Sequence, residues 1–116
     1  MTTLTQTTTT WAGQAAVTLE DSRVRVVVLP ACGGKIASLV DLNRGREWLF
    51  RNPHLPIAPP EYAGDYVGRF DSGGFDECFP NITPGPYPTA PWAGAPLPDH
   101  GEVWGLPWRS TLLENG

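Results

Sequence analysis

The strand-like patterning of residues 14–51 constrains the fold of this chain more than any other feature of its sequence. Val17 and Leu19 alternate with Ala16, Thr18 and Glu20, and after a turn at residues 21–22 the segment 23–29 begins with alternation and ends in a continuous apolar run. This pattern is typical of a strand that is half exposed at one end and covered at the other. No segment keeps an apolar period of about 3.6 residues over three turns, so the sequence predicts an all-β, antiparallel fold.

Turn-forming residues divide this region into a meander of strands. Pro30 ends the second strand, because proline has no amide hydrogen to donate to a β-ladder, and Gly33-Gly34 permits a tight reversal. Residues 35–41 predict a third strand, and residues 43–46 predict the hairpin turn that follows it. Residues 47–50 are then expected to pair back onto the third strand.

The segments on either side of this meander differ from it in character. Residues 1–13 form a threonine-rich arm that we expect to be flexible, with an added edge strand as the alternative because threonine favours strands. Residues 52–100 hold most of the 13 prolines and predict irregular chain; loops this long on a rigid sheet tend to be functional. Residues 102–113 regain strand character, and residues 14–116 are assigned to one domain.

Composition limits the classes of partner. The chain has 116 residues, with 12 acidic against eight basic side chains and a net charge of −4. This balance argues against a nucleic-acid partner, which requires a basic surface. Cys32 and Cys78 predict buried reduced thiols, with a bridge between them as the alternative. The N-terminus lacks the features of a secretory signal, and no apolar stretch is long enough to span a bilayer, so we expect a cytoplasmic protein without a membrane partner.

Two short segments carry the residue types from which a sugar site can be built. Residues 68–80 place an arginine and three carboxylates between glycines and aromatic residues, and residues 98–104 add a histidine, two more carboxylates and a tryptophan. A pyranose is recognised by planar hydrogen-bonding groups at its hydroxyls and by aromatic rings against its C–H surface. The candidate substrate-binding residues are Arg69, Asp76, Glu77, His100 and Trp104.

The first segment also has a purely structural interpretation. Arg69 can pair with Asp71 or Glu77 without touching a ligand. Asp76 and Glu77 are adjacent, so on a strand they would point to opposite faces and at most one would reach a shared site.

The second segment has such an interpretation as well. His100 precedes a glycine and can cap a turn, and Trp104 can pack in the core. A metal site formed by Asp99, His100 and Glu102 is only weakly indicated by a single histidine. We therefore expect neither a metal nor a cofactor.

In combination the two segments resemble the aldose 1-epimerase, or galactose mutarotase-like, family. The run Gly73-Gly74-Phe75-Asp76-Glu77-Cys78-Phe79-Pro80 is similar to a Gly-Gly segment that ends in proline in those proteins. A His-Gly segment follows it there, as Asp99-His100-Gly101-Glu102 does here, and residues 29–39 are similar to the family's opening hairpin. The resemblance covers residues 14–113 and implies the N-terminal part of an antiparallel β-supersandwich of the galactose mutarotase type.

The resemblance also implies a carbohydrate-binding protein related to enzymes that interconvert the anomers of aldoses. His100 matches the family's first substrate-binding histidine, and Arg69 matches the arginine that reaches the sugar hydroxyls. The family's acid histidine and base glutamate belong to later positions, so we expect no catalytic residue in this chain and either self-association or a complementing chain. The alternative is a non-catalytic carbohydrate-binding or structural β-module.

Overall fold

Five antiparallel strands form the main sheet of the protein in a computed structural model, which describes residues 3–114. The strands are Thr5–Trp11 (β1), Gln14–Glu20 (β2), Val24–Leu29 (β3), Lys35–Asp41 (β4) and Arg46–Glu47 (β5). They lie in the sheet in chain order, and each pair of neighbours is antiparallel. The predicted antiparallel all-β fold is confirmed. The predicted reversals at residues 21–22 and 33–34 lie between strands, and the one at residues 43–46 separates β4 from β5 but extends one residue into β5, at Arg46.

The threonine-rich arm contributes the edge strand of this sheet. All seven residues of β1 pair with β2, from Thr5 opposite Glu20 to Trp11 opposite Gln14. The hydroxyl groups of Thr9 and Thr18 are 2.8 Å apart and add a side-chain link between the two strands. Of the two alternatives for the arm, the structure therefore adopts the edge strand over residues 5–11.

The remaining chain is mostly irregular, as predicted for residues 52–100. A short ribbon joins Gly85–Pro86 (β6) to Pro96–Leu97 (β7), and Tyr66–Phe70 forms one π-helical turn. The prediction of strands in residues 102–113 is wrong: Val103–Gly105 is a 3₁₀ turn, and the chain beyond it crosses the sheet without joining the ladder. Within residues 3–114, no helix is long and apolar enough to cross a membrane.

The two faces of the main sheet differ in how well they are covered. One face carries the buried core residues Ala16, Val27 and Leu29, with Leu29 fully buried, and Ile57 from the irregular region packs in the same core. Directly paired residues share a face, and the register places one apolar set on the opposite side, called the open face here: Val17, Leu19, Val24, Val26, Val28, Ile36 and Leu39. None of the seven is buried.

The C-terminal segment covers one end of the open face. Trp108 N donates a hydrogen bond of 2.8 Å to Pro30 O, and Leu113 N donates one of 3.3 Å to the Gln6 side chain at the sheet edge. Trp108 and Leu112 line a cavity of about 340 Å³ together with Val17 and other residues of the first strands. The other end of the open face, around Val24, remains exposed.

Candidate functional site

Backbone contacts bring the two polar segments of the sequence side by side. Glu102 N donates a hydrogen bond of 2.8 Å to Phe79 O. Gly101, with φ +81°, lies so close that a Cβ there would meet three Phe79 backbone atoms within 2.8 Å. Four residues earlier than Phe79, Phe75 exchanges two backbone hydrogen bonds of 2.9 Å with Ile36 of β4. The segment 75–79 therefore links the main sheet to the segment that carries His100.

A buried ion pair lies at the point where this segment leaves the sheet. Lys35 Nζ is 2.7 Å from Asp76 Oδ2 and also donates a hydrogen bond of 2.6 Å to Gly73 O. The two charged side chains are only 5% and 6% exposed. Removing one member of such a pair would leave an uncompensated buried charge, so the pair is stable only as a unit.

Tyr66 connects this ion pair to the histidine segment. Its hydroxyl donates a hydrogen bond of 3.0 Å to Asp76 Oδ2, and its ring stacks on the His100 ring with centroids 4.1 Å apart. Trp104 packs edge-on against the Tyr66 ring, with the two ring centroids 5.0 Å apart. Burial, and then the nearby Asp76 charge, raise the pKa of Tyr66, so that its hydroxyl remains a proton donor.

Three of the five predicted site residues, Asp76, His100 and Trp104, therefore surround Tyr66, which the sequence analysis did not select. Trp104 is 2% exposed and donates its indole N–H to Asp99 O at 3.1 Å, so it supports the cluster from within the core. Asp76 likewise has its carboxylate committed to protein partners. Of the three residues, His100 has the largest exposed fraction of its side chain.

His100 combines an unusual backbone conformation with an unsatisfied ring nitrogen. Its φ is +59°, and its backbone N–H donates to Ile82 O at 2.7 Å. Its Nδ1 is 3.0 Å from Asp99 Oδ2, but the angle does not allow a hydrogen bond, and within residues 3–114 this buried atom has no hydrogen-bonding partner. His100 is therefore both a turn residue and a group with free hydrogen-bonding capacity.

The other two predicted residues, Arg69 and Glu77, make no hydrogen bond or ion pair with this cluster among the described residues. Arg69 pairs with Glu61, with both nitrogen–oxygen distances 3.2 Å, and its guanidinium lies 5.1 Å from the Phe70 ring centroid. The predicted pairing of Arg69 with Asp71 or Glu77 is therefore wrong. Its partner is Glu61, a carboxylate in the preceding loop that lies close to Arg69 both in the sequence and in space. Glu77 is exposed, and no hydrogen bond or ion pair of its side chain occurs among the described residues.

An open groove adjoins the histidine segment and is called the aromatic groove here. Its volume is about 280 Å³, and it is lined by Phe79, Pro80, Tyr87, Trp92, Ala95, Pro96, Leu97 and Glu102. Phe79 and Trp92 are 65% and 63% exposed, so their rings are available to a ligand. Tyr87 supports Trp92 edge-on, with ring centroids 6.1 Å apart.

Glu102 is the charged residue in the wall of the aromatic groove. Its Oε1 accepts a hydrogen bond of 2.6 Å from the Tyr62 hydroxyl, and this bond raises the pKa of Tyr62. Tyr62 follows Glu61, the partner of Arg69, so Arg69 and Glu102 hold adjacent residues of one loop. Arg69 is therefore linked to the groove wall indirectly, through the loop residues Glu61 and Tyr62.

The surroundings of the two cysteines disfavour a thiol nucleophile. Cys32 and Cys78 are free thiols, as predicted, although Cys78 is half-buried where a buried position was expected. Burial, the largest cause in each case, raises the pKa of both thiols, which disfavours the reactive thiolate. Over residues 3–114, no three His, Cys, Asp or Glu side chains are grouped so as to hold a metal ion.

Four residues of this region escaped the sequence analysis: Lys35, Tyr66, Tyr87 and Trp92. For Lys35 the one signal was its position at the start of an apolar strand, next to Gly-Gly. A lysine that is buried there requires a partner for its charge, because an unpaired lysine is rarely buried. The aromatic residues lie in proline-rich chain without periodicity, and nothing local indicates which of them share a groove.

Comparison with known proteins identifies a family but no function. No curated protein and no solved structure matches the chain significantly. Residues 2–97 match a family model described as a domain of unknown function, DUF5107. The match includes the sheet, the Tyr66 turn, Asp76 and most of the aromatic groove, whereas the segment 98–104 follows it. Because the match spans most of its length, the chain belongs to the DUF5107 family.

Proposed function

We propose that this chain binds a neutral carbohydrate in the aromatic groove. The observation that carries the proposal is the presence of two exposed ring faces, Phe79 and Trp92, in one groove with the Glu102 carboxylate. Apolar rings against the C–H surface of a sugar and a planar acceptor for its hydroxyls are the two elements that a pyranose requires. A volume of about 280 Å³ lies near the lower end of the range for small-molecule pockets, which suits one or two sugar rings.

The charge of the surrounding chain favours a neutral sugar over a phosphorylated one. Residues 52–104 contain seven acidic residues and a single basic one, Arg69: Glu61, Asp65, Asp71, Asp76, Glu77, Asp99 and Glu102 are the acidic set. The formal charge of this stretch is therefore −6, from seven negative charges and one positive. A phosphate group would be repelled by this field.

His100 and Arg69 are the proposed polar supports of the site, as the resemblance implies. The Lys35–Asp76 ion pair holds the Tyr66 hydroxyl, and the Tyr66 ring holds the imidazole of His100, whose Nδ1 has no protein partner among the described residues. That atom is buried, so we propose that the exposed part of the imidazole meets a sugar hydroxyl at the edge of the groove. In this arrangement Asp76 and Trp104 act as positioning residues, and Glu77 is assigned to the outer rim.

A titration with neutral monosaccharides and disaccharides tests the groove. We expect Trp92→Ala to weaken binding at least about tenfold, because it removes an exposed ring at the centre of the contact. His100→Ala should weaken it roughly 5- to 150-fold, the range for one unsatisfied buried partner. Binding is measured by saturation-transfer NMR and calorimetry, with circular dichroism to confirm folding.

Phe50→Ala is the matched control for this titration. Phe50 is 71% exposed, comparable to the groove rings, but does not line the groove. Equal affinities for Trp92→Ala, Phe50→Ala and the unmodified protein, or no binding of any sugar by the unmodified protein, would overturn the proposal.

By resemblance, we also propose that the sheet is the N-terminal part of a mutarotase-type supersandwich that is incomplete as a catalyst. The apolar open face of the sheet supports the first part, because a sandwich requires a second sheet on such a face. Anomer interconversion needs an acid and a base within hydrogen-bonding reach of one sugar. We therefore expect the polarimetric rate for α-glucose and α-galactose to equal the buffer blank, and a rate that His100→Ala abolishes would contradict this expectation.

The second candidate is a structural β-module that acts by associating with another chain. The observation that favours it is the free outer edge of β1, which has no neighbouring strand within residues 3–114. Either role fits the cytoplasm, the proposed location, because both cysteines are free thiols as is usual in reducing compartments.

A further inference from the structure

The basic residues of the chain are concentrated away from the aromatic groove. Six of the eight lie between residues 23 and 51, on or beside strands β3 to β5: Arg23, Arg25, Lys35, Arg44, Arg46 and Arg51. Lys35 is neutralised by Asp76, and Arg25 forms an ion pair with Glu20. Four arginines remain against the three acidic residues Asp21, Asp41 and Glu47, so this end of the main sheet carries one net positive charge within a chain whose net charge is −4.

A cavity of about 450 Å³ opens at this end and is called the arginine cavity here. It is lined by Arg23, Val24, Leu39, Val40, Asp41, Asn43, Arg44 and Trp48. Val24 and Leu39 belong to the uncovered end of the open face, so the floor of the cavity is apolar. Trp48 is 52% exposed, and the Arg46 guanidinium lies 4.0 Å from its ring centroid. Because Arg46 does not line the cavity, it holds the ring without filling the space.

The carboxylate in the cavity wall is already neutralised. Asp41 Oδ1 accepts the backbone N–H groups of Asn43 and Arg44, at 3.0 and 3.1 Å, and Asp41 Oδ2 accepts Arg44 Nη1 at 3.0 Å. The Arg23 guanidinium, in contrast, has no carboxylate within ion-pair distance among the described residues. One complete guanidinium fork and the rest of the Arg44 guanidinium are therefore available to an anionic group.

We propose that the arginine cavity is a second ligand site, for a small molecule that carries one anionic group on an apolar or aromatic ring. The carboxylate, sulfate or phosphate group pairs with Arg23 and Arg44, and the ring lies against Trp48, Val24 and Leu39. The aromatic groove and the arginine cavity have no lining residue in common and opposite local charge. The two proposals therefore stand or fall separately.

Phenyl phosphate is the probe for this site, compared with inorganic phosphate and with benzyl alcohol. We expect phenyl phosphate to shift the ¹H–¹⁵N NMR signals of Arg23, Arg44 and the Trp48 indole N–H. Each half of the probe alone should bind at least about tenfold more weakly, because it makes only the ionic or only the apolar contact. Raising the salt concentration should weaken phenyl phosphate binding as well.

Arg23→Gln is the decisive variant. The backbone contacts of Arg23, which accepts from Leu42 N at 2.7 Å and donates to Asp21 Oδ1 at 2.7 Å, do not involve its guanidinium and are kept. The affinity for phenyl phosphate should fall about tenfold or more, and Trp48→Leu should lower it as well. Arg109→Gln, a change at an exposed arginine outside the cavity, and Trp92→Ala should leave it unchanged.

Three results would overturn the proposal. The first is the absence of shifts at millimolar phenyl phosphate. The second is equal affinity for inorganic phosphate or for benzyl alcohol, which would remove the ring or the charge from recognition. The third is an equal loss of affinity in Arg23→Gln and Arg109→Gln, which would show that the net charge of the protein, and not the Arg23 contact, determines the affinity for phenyl phosphate.

Discussion

At the scale of single residues, the site depends on a backbone contact that only glycine permits. Gly101 lies against the Phe79 backbone and has a positive φ. A side chain there would therefore clash with the Phe79 backbone and would also strain the Gly101 backbone. The same contact carries the hydrogen bond from Glu102 N to Phe79 O, which aligns the groove wall with the His100 segment. A change at this position should therefore disturb both folding and binding.

We predict that Gly101→Ala destabilises the protein by more than the roughly 1–3 kcal/mol expected for backbone strain alone. Gly94→Ala is the matched control, since Gly94 also has a positive φ, +85°, but its added Cβ would meet nothing within 4 Å. The difference in urea unfolding free energy between the two variants isolates the clash with Phe79. Equal values for the two variants would contradict the proposed close approach.

At the scale of elements, one side chain adds to the backbone ladder that holds the short strand β5 to β4. The carboxylate of Glu47 accepts hydrogen bonds from the Ser38 hydroxyl, and from Leu39 N and Leu49 N at 2.9 Å each. Burial of this carboxylate raises its pKa, but the hydrogen bonds together outweigh burial and lower the pKa of Glu47 below its usual value of 4.5.

A lowered pKa in the folded state means that Glu47 stabilises the protein above pH 4.5, and that this contribution is lost as the pH falls through the folded-state value. We predict that Glu47→Gln costs about 1 kcal/mol at pH 7, allowing for solvent screening of an exposed carboxylate. The cost should shrink towards zero at low pH. Urea unfolding at several pH values measures this cost as the difference between Glu47→Gln and the unmodified protein. A cost independent of pH would refute this account.

At the scale of the whole molecule, the chain is more open than a compact domain of its size. Its accessible surface is 7642 Å², against about 6200 Å² expected for a monomer of 12.6 kDa. Its radius of gyration is 16.1 Å, against about 13 Å for a compact domain. A single sheet with an apolar open face and a free edge accounts for both differences.

We predict that the chain associates with itself, or with a complementing chain, through the edge of β1. This strand is seven residues long and contains no charge and no proline, the usual devices that keep edge strands apart. Thr7→Lys should therefore shift a concentration-dependent dimer towards monomer in size exclusion with light scattering at low micromolar concentration. Ser22→Lys adds the same charge in an exposed turn and should leave the dimer intact. A sharp monomer peak for the unmodified chain, with a cooperative melt, would rule out self-association through this edge.

The strand pattern was predictable from the sequence because each strand carries its own local signal. The period of two in residues 14–29, the prolyl stop at Pro30 and the glycines at 33–34 and 45 are properties of neighbouring residues, and the structure follows them closely. Residues 102–113 show the limit of this approach. Their β-prone residues have no partner strand, because the chain there is used to cross the open face and to bury Trp104.

The sequence by itself determined the all-β class and the meander, and it pointed to the two segments that supply Phe79, His100 and Glu102. Only the tertiary structure decided which residues meet: Tyr66 joins Asp76 to His100, Arg69 takes Glu61 as its partner, and Trp92 and Phe79 line one groove. The physical reason is that a strand is specified by the alternation of its own side chains, whereas the site is built from irregular chain. Its contacts join residues far apart in sequence through hydrogen bonds and ring packing, which leave no periodic trace in the sequence.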